Sequence, residues 1–292
     1  MSEPGDHFHR ESIDTPGGRL SLIVAGEAGP RVLLLSGGGV DSATLSWRWL
    51  VPALSTDHRV LALDWPKQGE SKPWHGLADH QRLLRCITEV LDHFDWPSAA
   101  LVGLSQGGAM TLAYAIEHPD RVDRLVAISP AGTLSFPPVV HQLLWLTAKI
   151  PLLGRTLPSL MVRNRRSTAA FARRALVAGP TPDFDGLVSE IMAEAADGAG
   201  SSDWQNSSIG PLRMRVDLRP RLSEISCPAL FIQGADDVGV PMQRTIAAAG
   251  AVPGARLEVL PGVGHWANRQ QPDRVNHLIR AFLDRTDHQA RT

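Results

Sequence analysis

The stretch from Ser98 to His118 constrains this chain more than any other. Ala99 to Leu104 is an unbroken apolar run, the pattern of a strand buried on both faces. It turns at Gly103-Leu104-Ser105-Gln106-Gly107 and continues as an Ala-rich helical pattern that ends before Pro119. A serine between two glycines at a strand-to-helix turn has the form of a nucleophile elbow, a tight turn that lifts the hydroxyl above the sheet edge. Gly103 and Gly107 relieve the crowding a side chain would create around a strained Ser105, and Gly108 lets the helix lie close to the sheet. The helix begins at the serine, so its free amides and dipole face any negative charge developing there. A glycine-rich turn without chemistry is the plainer alternative. The flanking strand and helix weigh against it.

The remaining apolar segments build a sheet around this turn. Phe8 to Asp14 and Arg19 to Ala25 read as a hairpin across Thr15-Pro16-Gly17-Gly18. Val32 to Leu35 is a short buried strand ending in Ser36-Gly37-Gly38-Gly39. A helix follows, with Asp41 or Ser42 as N-cap and Leu45, Trp49 and Leu50 on one face. Val60 to Leu63 is the next strand, Asp64 to Pro73 a loop, Leu77 to Phe94 a helix, and Val122 to Ile128 another strand. Strands alternating with helices of this length predict an α/β fold with a mostly parallel, doubly wound sheet. From Leu134 to about Arg215 the strand rhythm stops and helical patterns broken by Pro and Gly take over. From Cys227 the alternation resumes with strand Ala229 to Gln233, helix Met242 to Ala249, strand Arg256 to Leu260 and helix Asp273 to Asp284. The chain therefore reads as one α/β core, residues 1–133 and 216–292, interrupted by a helical cap over 134–215.

Composition narrows the partners. A net charge of −1 over 292 residues gives no electrostatic footprint for nucleic acid or an anionic membrane. Cys86 and Cys227 lie in apolar patterns and read as free thiols, with no disulfide and no metal site expected. The first ten residues lack the apolar core of a signal peptide, and no run approaches the ~18 apolar residues of a membrane span. A soluble cytoplasmic protein is the expectation, monomer or homodimer, with a small-molecule substrate and no cofactor.

A serine is a weak nucleophile, so it needs a base, and the base needs an orienting acid. After strand Ala229 to Gln233 stands Gly234-Ala235-Asp236-Asp237, and after Arg256 to Leu260 stands Pro261-Gly262-Val263-Gly264-His265-Trp266. Both lie at C-terminal strand ends, where open α/β sheets place their sites. Of 11 histidines, only His265 follows a strand on a glycine-rich loop. A loop histidine alone would carry little weight; its placement jointly with Ser105 and an aspartate carries more. Composition does not rank Asp236 against Asp237.

These motifs, Gly-Leu-Ser-Gln-Gly-Gly at 103–108, Gly-Ala-Asp-Asp at 234–237 and Gly-His-Trp at 264–266, resemble those of the α/β-hydrolase superfamily. The nearest group holds esterases, lactonases and carbon–carbon hydrolases of ring-cleavage products. Trp49, Asp64-x-Pro66 before Gly69-x-Ser71, and Pro119-x-Arg121-Val122 match as well, so the likeness covers nearly everything outside the cap. It implies Ser105 as nucleophile, His265 as base and Asp237 as triad acid, with Asp236 the alternative. It implies an oxyanion hole built from the Gly38 and Gln106 amides, with Gly39 a further candidate. Three departures stand out: Ser36-Gly37 where the family often has His-Gly, Lys67 where it usually has glycine, and Gln270 where glutamate is common. Epoxide hydrolases and haloalkane dehalogenases of this fold use an aspartate nucleophile, so Ser105 argues against both.

The cap segregates its charge. Leu134 to Pro182 holds Lys149, Arg155, Arg163, Arg165, Arg166, Arg173 and Arg174 without one acid. Ala175 to Leu212 holds Asp183, Asp185, Glu190, Glu194, Asp197 and Asp203 without one Lys or Arg. Two solvated faces that pair loosely would contribute little. The sharper expectation sends Arg163 or Arg166 into the cleft to hold a substrate carboxylate, with Trp145, Trp266 and Gly39 as further substrate contacts. The function expected is cleavage of a small or medium ester or lactone through an acyl-enzyme on Ser105. The alternatives are a carbon–carbon hydrolase with the same triad, and a non-hydrolytic or ligand-binding use of the fold.

Overall fold

The structure, a computed structural model, describes residues 8–150, 162, 164–196 and 202–285. Its frame is a single sheet of eight strands: β1 (Phe8–Thr15), β2 (Gly18–Ala25), β3 (Arg31–Leu35), β4 (Arg59–Leu63), β5 (Ala99–Leu104), β6 (Val122–Ile128), β7 (Ala229–Gly234) and β8 (Arg256–Leu260). They lie in the order β1-β2-β4-β3-β5-β6-β7-β8. β1 and β2 form the hairpin read from Thr15-Pro16-Gly17-Gly18, and β2 meets β4 antiparallel. Every later pairing is parallel. β3, β5, β6 and β7 are buried on both faces almost throughout, which is why they read as continuous apolar runs instead of alternating ones.

Alternate side chains of these strands feed two cores, one on each face of the sheet. Leu33, Leu101 and Phe231 point into one, and Leu34, Val102 and Ile232 into the other. Eleven α-helices among the described residues accompany the sheet. α1 (Ala43–Trp47) and α2 (Leu50–Leu54) follow β3; α3 (His80–His93) follows β4; α4 (Gln106–Glu117) follows β5. After β6 come α5 (Pro138–Lys149), α6 (Arg165–Phe171), α7 (Phe184–Ala196) and α8 (Asp203–Ser208). α9 (Met242–Ala251) joins β7 to β8, and α10 (Ala267–Gln270) and α11 (Pro272–Leu283) close the chain.

Two boundaries differ from the sequence reading. The crossover after β3 is a broken pair of short helices, and the fully buried tryptophan is Trp47, not Trp49, which sits half-exposed at the break. Ser42 is the N-cap, accepting from Leu45 N. α3 begins at His80 because Asp79 caps it by accepting from the Arg82 amide, which leaves Leu77 outside the helix and exposed. Between β6 and β7 the described residues form helices and one isolated bridge, Ile209 with Met214. Among the described residues no helix is long and apolar enough to cross a membrane. Both cysteines are free, Cys86 buried and Cys227 half-buried.

Candidate active site

Ser105 sits at φ 54° and ψ −110°, a conformation costly for a residue with a side chain. The motif's glycines hold it there. A Cβ on Gly103 would lie 2.2 Å from the Gly107 carbonyl oxygen, and one on Gly107 would lie 2.0 Å from that of Leu35. Only two bare backbones pack this closely. The Ser105 amide is spent on the Ile128 carbonyl at 2.8 Å, and its carbonyl accepts from Ala109 at 2.9 Å and Ala131 at 3.0 Å. The next amide, on Gln106, opens α4, where the helix itself offers no acceptor.

Asp237 and Asp236 part company completely. Asp236 is exposed; the Asp237 side chain is fully buried and its Oδ2 lies 2.8 Å from His265 Nδ1. The other oxygen accepts from the Gly239 amide at 2.7 Å and the Val240 amide at 2.9 Å, and Gln233 Nε2 lies 3.1 Å from Oδ2. Burial alone would raise this carboxyl's pKa. The hydrogen bond and charge of His265, with the Val240 amide, outweigh it and hold the group below the usual carboxylate range. The loop carrying His265 is fixed by Gln270, whose Oε1 accepts from the amides of Gly264 at 2.8 Å and Ala178 at 3.0 Å, while Nε2 donates to the Gly262 carbonyl at 2.8 Å. The departure from glutamate at 270 thus has a use: this position must both accept and donate, which a carboxylate does not do.

Ser105 and His265 open on one cavity of about 330 Å³, with Gly37, Gly38, Gly39 and Trp266 also on its wall. The opposite wall comes from the segment between β6 and β7: Val162, Phe171, Ala175, Leu176 and Ser202. The Trp266 amide donates to the Leu176 carbonyl at 2.7 Å, tying that segment to the His265 loop. The structure therefore brings Ser105, His265, Asp237, Gly38, Gly39, Gln106 and Trp266 into one place. It does not bring Arg166 there. Arg166 is exposed and off the cavity wall, and its neighbour Arg165 bonds to Asp185 and Ser189 outside. Arg173 lies over the Phe184 ring. Trp145 also lies off the wall, half-buried on α5. Arg155 and Arg163 lie outside the described residues. The described wall of the cavity holds no Lys, Arg, Asp or Glu.

The acidic half of the inserted segment pairs mainly with the sheet domain beneath. Glu190 bonds Arg48 and, at 2.7 Å, the buried Arg269; Asp203 meets Lys67 at 2.5 Å; Glu194 accepts from the Gly69 amide at 3.0 Å. Lys67 stands at φ 72°, so lysine keeps the left-handed turn that glycine would give the loop and adds a tie to α8. Two residues that sequence reading had not singled out for the site lie just under its glycine loop. Asp41 is wholly buried and accepts from the Gly37 amide, and burial pushes its pKa up to about 7 against hydrogen bonds from Ser46, Gly37 and Ser42. Gln68 is wholly buried and donates to the Gly37 and Gly39 carbonyls.

Residues 30–272 match the family model of the alpha/beta hydrolase fold. The chain belongs to that family. It is 28% identical over 275 residues to a 2-hydroxy-6-oxo-6-phenylhexa-2,4-dienoate hydrolase of Burkholderia cepacia, covering 91% of each chain. A hydrolase from Pseudomonas aeruginosa superposes with a TM-score of 0.74 at 25% identity, over 97% of this chain and 100% of that one. The enol-lactonase of Burkholderia xenovorans superposes with a TM-score of 0.73 at 23% identity, over 94% of this chain and 100% of that one, a likeness of fold.

Proposed function

We propose that this α/β hydrolase is a serine hydrolase of small or medium, uncharged esters or lactones. The observation that carries the reading is the pairing of an elbow serine at φ 54° with a His265–Asp237 dyad on one predominantly apolar cavity. In the mechanism, His265 takes the Ser105 proton as the hydroxyl attacks the carbonyl carbon. Asp237 holds the imidazole with Nδ1 protonated, so that Nε2 faces outward as the base, and balances the imidazolium that forms. The Gln106 and Gly38 amides receive the charge developing on the carbonyl oxygen. The alcohol leaves with the proton from His265, and water, deprotonated by the same histidine, frees the acid. Residues 134–215 act as the cap that closes the cavity over the core formed by 1–133 and 216–292.

The described wall supports the uncharged substrate: a carboxylate placed against Val162, Phe171 and Leu176 would lose its hydration without gaining a cation among the described residues. The second reading is hydrolysis of a carbon–carbon bond in a dienoate, favoured by the end-to-end likeness to the Burkholderia cepacia enzyme. A panel of aryl esters, lactones and ring-fission dienoates, run with wild type and Ser105→Ala, tests both. Serine-dependent turnover of the neutral esters or lactones with kcat/KM above that for dienoates is expected. The reverse ranking overturns the ester reading, and no fluorophosphonate labelling of Ser105 overturns both.

A further inference from the structure

Gly37, Gly38 and Gly39 give the cavity wall almost no conformational preference of its own, and three free glycines would wander widely. Four hydrogen bonds pin the run. Trp65 Nε1 donates to the Ser36 carbonyl at 2.9 Å, and the Gly37 amide donates to Asp41 Oδ2 at 2.7 Å. Gln68 Nε2 donates to the carbonyls of Gly37 at 3.2 Å and Gly39 at 3.1 Å. Two carbonyls face that amide, so its NH2 end must be the one turned to them. The Gln68 Oε1 is buried without a protein partner, an expense that nothing in the packing of the loop itself requires.

Peptide geometry turns these pins into an aim. The peptides of this loop are trans, so each N–H points opposite to the carbonyl of the same unit. The Ser36 carbonyl turns to Trp65, and the Gly37 amide accordingly turns the other way, to Asp41. The Gly37 carbonyl turns to Gln68, which sends the Gly38 N–H to the opposite side; the Gly39 carbonyl does the same for the Val40 N–H. Gly38 and Val40 lie on the cavity wall, whereas Gln68 and Asp41 are fully buried and off it.

We propose that Gln68 and Asp41 are positioning residues that aim the Gly38 amide, backed by that of Val40, at the oxygen on which charge develops. Gly37 is excluded as a donor because Asp41 consumes its amide. This rests on the serine-hydrolase reading and adds to it the device that sets the first half of the oxyanion hole. The test uses Gln68→Leu, which removes the donor; Gln68→Glu, which keeps the size; and Asp41→Asn, which removes one acceptor. Each is measured by ester kinetics, by arylboronic acid inhibition, by thermal melting and by amide hydrogen exchange over 36–42.

For the two Gln68 variants, kcat falls about a hundredfold with KM within about threefold, and boronic acid binding weakens by a like factor. Exchange at 37–40 speeds up, while Tm of Gln68→Leu falls modestly, because the two carbonyls that lose their donor are offset only in part by removal of a buried unpartnered oxygen. Asp41→Asn moves kcat and exchange the same way. A kcat within about threefold of wild type with unchanged exchange in the Gln68 variants overturns the proposal. So does a loss of kcat that tracks a fall in Tm and a rise in KM. A wild type inert to esters and to fluorophosphonate sinks the hydrolase reading instead, and the exchange data then decide the aim of the loop alone.

Discussion

Asp237→Asn changes one atom and one charge, and the hydrogen bonds around the side chain decide which way round the amide sits. With its oxygen toward His265, the NH2 would face the Gly239 and Val240 amides, now 2.7 and 2.9 Å from Oδ1. Two buried donors would be left facing a donor, at about 1–3 kcal/mol each. With the NH2 toward His265, those two amides keep their acceptor. The only new conflict is with Gln233 Nε2, which retains the Gly234 and Val240 carbonyls at 2.9 and 3.0 Å. The second orientation wins by roughly 2–6 kcal/mol. It donates to His265 Nδ1 and so forces the proton onto Nε2, the nitrogen that must be bare to accept from Ser105. A triad held in the wrong tautomer loses about 10⁴ in kcat, near 5.5 kcal/mol of barrier. The assay is kcat/KM on the best aryl ester of the panel, with Tm taken alongside to show the fold is kept. Activity within about tenfold of wild type, with acylation shown to limit the rate, would refute the reasoning. A dead Asp236→Asn beside an active Asp237→Asn would move the acid to its exposed neighbour.

Four further outcomes follow from the same contacts. Asp41 titrates near 7 in the fold but lower in the unfolded chain, so its stabilising contribution is full in acid and is lost as pH rises through about 7; the Tm of Asp41→Asn minus that of wild type should therefore climb between roughly pH 4 and 8, and a constant difference would refute it. Lys67→Gly should leave Tm nearly unchanged, since losing a partly exposed ion pair with Asp203 is offset by a relaxed left-handed turn; Lys67→Ala should melt lower, by roughly 1 kcal/mol, because it keeps the strain and loses the pair. Gln270→Glu should cost about 1–3 kcal/mol by chemical denaturation and lower kcat, because the Gly262 carbonyl loses its donor beside the His265 loop. Arg166→Ala should leave kcat/KM on a matched acid and methyl-ester pair within about twofold of wild type; a loss confined to the acid would restore the carboxylate-holding arginine.

The sheet and the elbow were legible because their causes are local. Four central strands buried on both faces leave continuous apolar runs, and the crowding of Gly103 against Gly107 and of Gly107 against Leu35 leaves no residue but glycine at either position. The crossover after β3 breaks at Arg48 and Trp49 because Pro52 has no amide to donate back to Arg48 and its ring crowds that carbonyl, a local signal the single-helix reading passed over. Asn276 of α11 then donates to the Trp49 carbonyl from 227 positions away. Asp237 could be told from Asp236 by likeness to a family, while its physical reason lies in the amides of Gly239 and Val240 that fold back over it. Gln68 left no signal of its own, since a glutamine in a polar loop reads as solvated until two carbonyls from another loop are brought onto it.

The charge segregation of the inserted segment was visible and its meaning was not, for a reason that carries beyond this chain. Sequence shows which charges neighbour one another along the backbone, and there the basic and acidic halves look made for each other. The fold offers the acids better partners. Arg269 is 2% exposed, and the effective cost of leaving such a cation unpaired is several kcal/mol, far more than a surface pair between helices of the inserted segment returns. Glu190 therefore goes to Arg269 and Arg48, and Asp203 goes to Lys67 beside the cavity wall at Ser202. The acids fasten the segment to the sheet beneath, and of the segment's described arginines Arg165 alone keeps a described carboxylate partner, Asp185. The basic surplus among the segment's described, exposed arginines is then the remainder of this docking, and it gives no reason to place a cation over Ser105.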